Sequence, residues 1–137
     1  MKPINTWILL VLILASLLSA CAPKASSTTK ISPVTLEPIE GTDFQRLILT
    51  EKAAQRLDIQ TAEVSGTSIP YAAVIYDTQG NTFVYTNPAP LTFVRASIMI
   101  DHIEGDQAIL SEEIASGTAV VTLGVSELYG TETGVSK

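Results

Sequence analysis

One cysteine, one histidine and one tryptophan occur in 137 residues. A lone cysteine, Cys21, excludes an intrachain disulfide and any site built on clustered cysteine ligands. A lone histidine, His102, leaves a catalytic triad or an imidazole-rich metal centre without convergent partners. Two methionines, one of them the initiator, are too few for a thioether copper site. Basic residues are also scarce: eight Lys and Arg stand against fourteen Asp and Glu, for a formal net charge of −6. That balance argues against nucleic-acid binding and against docking on anionic headgroups. No heptad run of the kind a coiled coil requires is present. Only one long apolar stretch exists, Trp7 to Leu18, broken by Ser16.

That stretch belongs to a segment, residues 1–20, that reads as a secretion signal. Lys2 supplies a positive start, and the small residues Ser19 and Ala20 precede Cys21. The core is short for a spanning helix, which needs about 20 apolar residues; an uncleaved membrane anchor is the alternative. Leu18-Ser19-Ala20-Cys21 resembles the lipobox of bacterial lipoproteins. The resemblance implies a diacylglycerol on the Cys21 sulfur, cleavage just before it and acylation of the new amine. A thiol suits this role because its thiolate is nucleophilic at modest pH. Two or more acyl chains, at about 0.8 kcal/mol per buried CH₂, hold a protein durably on a bilayer. The expected location is therefore the cell envelope, with a membrane as first partner through the lipid. Ala22 after the cysteine resembles lipoproteins sent outward in double-membraned bacteria; which membrane is occupied stays open.

Residues 21–43, rich in Pro, Ser, Thr and Gly, read as a flexible lipidated tether. Residues 44–66 read as strand, helix, strand: "FQRLILT", then "TEKAAQRLD" with Thr50 as N-cap, then "IQTAEVS". Residues 67–130 read as closely spaced strands. "YAAVIY" has the continuous apolar character of a strand buried on both faces. Asp77 to Asn81 is a hairpin loop leading into "TFVYT", and Asn87-Pro88-Ala89-Pro90 interrupts pairing. Val94, Ala96, Ile98 and Ile100 alternate with Arg95, Ser97, Met99 and Asp101, the period of a half-buried strand. "QAILS" and "TAVVTL" follow as separate strands, with Glu112 and Glu113 in the loop between them. Residues 131–137 read as a disordered tail. The fold class is mostly β with one short helix, and the strand spacing suggests a small barrel. No internal repeat is evident.

Several of these segments, in order, resemble the carboxy-terminal region of periplasmic adaptor subunits of RND efflux pumps, also called membrane fusion proteins. The resemblance rests on Ile69-Pro70 with "YAAVIY", Gly80 with "TFVYT", "FVRASIMI", "EGDQAILSEEIASGTAVVTLG" and "SELYG", with "LILTEKAAQRLDIQTAEV" upstream. It spans Leu47 to Val135, and its specificity lies in order and spacing rather than in any one motif. It implies a membrane-proximal domain with a permuted SH3-like β-barrel that rests on a transporter. Ile114 stands where the family usually has Leu, and Thr118 where an acidic residue is common. The stretch from Cys21 to Leu47 is too short for the family's helical hairpin and lipoyl domain, so no tube toward an outer-membrane channel is expected.

Sites of chemistry are sparse. His102 near Asp101 and Glu104 is a titratable surface group at most. Asp101, Glu104 and Asp106 cluster at a turn without the spacing of a calcium loop. Glu112 and Glu113 are adjacent, and adjacent side chains diverge rather than share a proton. The glycines are turn residues and form no phosphate cradle. No catalytic residue, metal ligand or cofactor is expected, and the protein is not read as an enzyme. Tyr71, Tyr76, Phe83, Tyr85 and Phe93 either fill the core or line a partner surface. Tyr71, Tyr85, Arg95 and Tyr129 are the expected partner contacts, with an RND-type transporter or another envelope protein as the partner. A small-ligand- or metal-binding envelope lipoprotein reusing the same barrel is the alternative.

Overall fold

A computed structural model describes residues 32–134. Cys21 and the leader lie outside the described residues.

Eight strands form one antiparallel sheet: β1 (Val34–Pro38), β2 (Gln45–Leu49), β3 (Gln60–Pro70), β4 (Ile75–Tyr76), β5 (Thr82–Ala89), β6 (Thr92–Ile98), β7 (Ile100–Glu104) and β8 (Gln107–Leu123). Among the described residues, two helices accompany it, α1 (Glu51–Arg56) and α2 (Val125–Thr133). The sheet runs β1-β2-β6-β5-β8-β3, with β4 beside β5 and β7 beside β8. This path is open. Its ends, β1 and β3, are edges that do not pair with each other, so main-chain bonding does not close the expected barrel.

Short-range chemistry explains the elements that the sequence announces. Thr50 caps α1 by accepting from the Ala53 N–H at 3.2 Å, and Ala53 is the residue that α1 buries. Asp77 organises the β4–β5 hairpin: its Oδ1 accepts from the Gln79 and Asn81 amides, both at 2.8 Å. These bonds to the charged form hold its carboxyl below the ordinary carboxylate value, the Asn81 side chain contributing most. In the Asn87-Pro88 segment the β5–β6 register slips between Thr86 and Ala89. The Asn87 amide bridges the slip by donating to the Ala89 and Thr92 carbonyls, at 2.7 and 2.8 Å.

Elsewhere the structure departs from the sequence reading. Within residues 21–43, read as a tether, Val34–Pro38 is instead a strand that pairs along β2, from Val34 with Leu49 to Pro38 with Gln45. The boundary between 66 and 67 disappears, since β3 runs through it and bulges at Gly66, whose φ of 72° suits glycine. Tyr71–Ala73 is a 3-10 turn rather than a buried strand. The Tyr71 N–H bonds to the Asp106 carbonyl at 2.8 Å and the Val74 N–H turns back to Tyr71 at 3.0 Å. Glu112 and Glu113 sit on one long strand, β8, exposed but still within it. Residues 131–133 belong to α2, not to a tail.

Both faces of the sheet's middle are covered. Along β5, Phe83 and Tyr85 point into one apolar cluster and Val84 into the other; along β8, Val121 and Val120 divide in the same way. The first cluster also takes Leu47, Leu49, Phe93, Ala53 of α1 and Val125 and Leu128 of α2. The second takes Val64, Ile69, Ala73, Ala108 and Leu110. The two-residue side-chain period of a strand thus places α2 over the face that carries Tyr85. Among the described residues, no helix is long and apolar enough to cross a membrane.

Candidate functional site

The single buried polar residue among the described residues is Glu132, in the last turn of α2. Val125, Leu128 and Glu132 fall three and four residues apart, on one helical face, and all three are buried. The first two reach the core as expected of an amphipathic helix. The third carries a carboxyl group inward, so it must find partners.

Those partners come from three strands. The Gln45 N–H of β2 donates to Glu132 Oε1 at 3.0 Å, and the Gln45 side-chain amide donates to the Glu132 main-chain carbonyl at 3.4 Å. The Tyr85 hydroxyl of β5 donates to Oε2. Arg95 of β6 brings its Nε within 3.2 Å of the same oxygen, the two side chains being only 11% and 2% exposed. That Nε–H is not directed at the carboxylate and finds no hydrogen-bond acceptor among the described residues, so the contact is an ion pair and not a hydrogen bond. The guanidinium instead stacks on rings. Its carbon lies 4.5 Å from the centre of Phe44, 4.7 Å from Phe83 and 5.5 Å from Tyr129. Phe44 and Phe83 meet edge to face at 5.6 Å. Aromatic faces attract a cation and keep water from it.

The Tyr85 phenol is pushed well above its ordinary value of 10. Burial is the largest cause, followed by the hydrogen bond to Glu132 and the charge of Glu132; the nearby Arg95 opposes the shift in part.

The four expected partner contacts therefore separate. Tyr85 is fully enclosed and its hydroxyl is bonded to Glu132, so with α2 seated it presents no surface to another molecule. Arg95 is nearly as enclosed. For Tyr85 the core alternative drawn from the sequence is the one that stands, and Arg95 is withdrawn from the surface because strand parity alone does not show which face a helix covers. Tyr129 is half-buried on α2, between the Arg95 stack and a shallow cleft of about 350 Å³. Ala72, Tyr76, Val125 and Ser126 also line that cleft. Tyr71 is 42% exposed and Tyr76 49% exposed. The neighbouring Tyr71 phenol, with slight burial, raises Tyr76 above its ordinary value. The two rings are thus neighbours at the surface.

The remaining groups of chemical interest lie apart from this cluster. His102 Nδ1 meets Asp101 Oδ2 at 2.8 Å, with both side chains more than half exposed. Met99 is exposed. Among the described residues, no group of three or more His, Cys, Asp or Glu is placed to hold a metal ion. No protein-family model, curated protein or solved structure matches the chain.

Proposed function

We propose that the protein is a lipid-anchored module of the cell envelope that acts by contact, in the manner of the membrane-proximal domain of an RND efflux adaptor. In this reading its sheet is a permuted SH3-like arrangement left open between β1 and β3. Cys21 carries the lipid, and a transmembrane transporter is the partner. The observation that carries the reading is the Tyr71–Tyr76 pair, two large rings left in solvent beside the cleft that Tyr129 borders. Tyrosine gives broad contact area at small entropic cost and is enriched in interfaces. The pair also lies within the stretch of the chain that resembles the adaptors. A mostly β unit built on one antiparallel sheet suits a stiff spacer between neighbours.

The test is a pull-down from mildly solubilised envelopes, with a full-length adaptor as positive control. The wild-type chain should retain a transporter, and Tyr71→Ser with Tyr76→Ser should lose it while leaving thermal stability unchanged. Recovery by the control and not by this chain would refute the contact role. Metabolic labelling with a fatty acid should mark the wild type and spare Cys21→Ser; an unlabelled wild type would remove the anchor.

A further inference from the structure

Every side-chain and main-chain donor that holds the Glu132 carboxyl belongs to the sheet, and only the acceptor belongs to α2. The β2–β6 pairing covers Arg46 with Val94, Leu47 with Phe93 and Ile48 with Thr92. One step further, Gln45 and Arg95 would face each other, and there the Glu132 carboxyl takes the place of strand pairing. The site thus has a main-chain N–H, a phenol hydroxyl and a guanidinium converging from β2, β5 and β6. Phe44, Phe83 and Tyr129 wall it. A guanidinium enclosed this way demands an anion, because an unpaired buried charge is strongly destabilising. A carboxylate is the anion whose two oxygens match one N–H on one side and a hydroxyl with a cation on the other. The built-in carboxyl leaves the Arg95 Nε–H without an acceptor among the described residues, so it does not exhaust the site's donors.

We propose that Gln45, Tyr85 and Arg95 form a carboxylate-binding site on the sheet, filled internally by Glu132, and that a carboxylate borne by another molecule takes its place when α2 lifts. The helix is then a nine-residue strap bounded by left-handed glycines, Gly124 and Gly134. This inference does not depend on the lipid anchor or on a transporter.

Glu132→Ala empties the site. Sodium formate or acetate, titrated against sodium chloride at matched ionic strength, should raise its thermal midpoint by several degrees and saturate. Should Glu132→Ala be unfolded in buffer, the same titration reads as recovery of the strand signal in circular dichroism. Glu132→Gln fills the site with an amide and should respond to formate no more than to chloride. In the wild type, amide exchange over Val125–Thr133 should quicken in high formate and not in chloride. Formate acting on Glu132→Ala no better than chloride, or acting equally on Glu132→Gln, overturns the site. Unchanged exchange in the wild type overturns the exchangeable strap.

Discussion

Replacing Arg95 by Met keeps an unbranched side chain among Phe44, Phe83 and Tyr129 but leaves Glu132 buried without its cation. Removing one member of a buried pair costs about 3–5 kcal/mol, because the partner's desolvation is no longer offset. The lost stacking adds about 0.5–2 kcal/mol in a desolvated setting, so Arg95→Met is expected near the upper part of that range. Glu132→Leu should be similar in size, since it strands the guanidinium, the Gln45 N–H and the Tyr85 hydroxyl together. The double variant carries no unpaired charge, and its cost should fall at least about 1.5 kcal/mol short of the sum of the singles. Urea denaturation followed by far-ultraviolet circular dichroism measures all three. The exposed pair Arg46–Glu37, at 3.2 Å with both side chains 46% exposed, is the internal control. Arg46→Met should cost no more than about 1 kcal/mol and lose even that in high salt. An Arg95→Met effect as small as this control, or singles that simply add, would refute the assignment of Glu132 and Arg95 as a coupled buried pair.

Tyr85 gives a pH-dependent signature. Its phenol is raised in the fold, so the contribution is complete below the unfolded value near 10 and is lost as pH climbs toward the folded value. Above pH 10 the wild type should lose about 1.4 kcal/mol per pH unit relative to Tyr85→Phe, read from paired urea curves; parallel curves would deny the shift. Gly124 has φ of 81°, and a Cβ there would stand 2.3 Å from the Ile59 Cδ1 and 3.1 Å from the Leu57 carbonyl. Gly124→Ala should cost about 2 kcal/mol or more, whereas Gly80→Ala, with a similar φ and open space, should cost about 1 kcal/mol. Equal losses would show that the close approach does not matter. Leu128, on the sheet-facing side of α2, is fully buried, so Leu128→Ala should lower stability by about 2–5 kcal/mol; a smaller loss would mean the helix is not seated as described.

The sequence made local devices easy to read and long-range ones hard. Thr50 before an apolar helical face, and Asp77 to Asn81 between two strands, are chemically complete within a few residues, and both stand as expected. The 3-10 turn at Tyr71–Ala73 was hidden because a continuous apolar run fits a buried strand equally well. Val34–Pro38 looks like linker, with proline and glutamate and mostly exposed side chains, and becomes a strand only because β2 offers it an edge. Glu112, Glu113 and Gly117 resemble a turn, yet β3 holds β8 continuous past them through register shifts. Tyr85 and Arg95 were identified as notable residues, but not as partners of Glu132. The one available signal was the helical spacing of Val125, Leu128 and Glu132, which puts an acidic residue on the apolar face.

Gln45 and Glu132 are 87 positions apart, and their bond has a consequence for how the chain is made. During vectorial synthesis, β2, β5 and β6 emerge before the residue that neutralises Arg95. Contacts of such wide separation form slowly and late. Until α2 is made, Arg95 has neither the Glu132 carboxylate nor the Tyr129 ring, so the sheet's buried cation is compensated only once the last helix is in place.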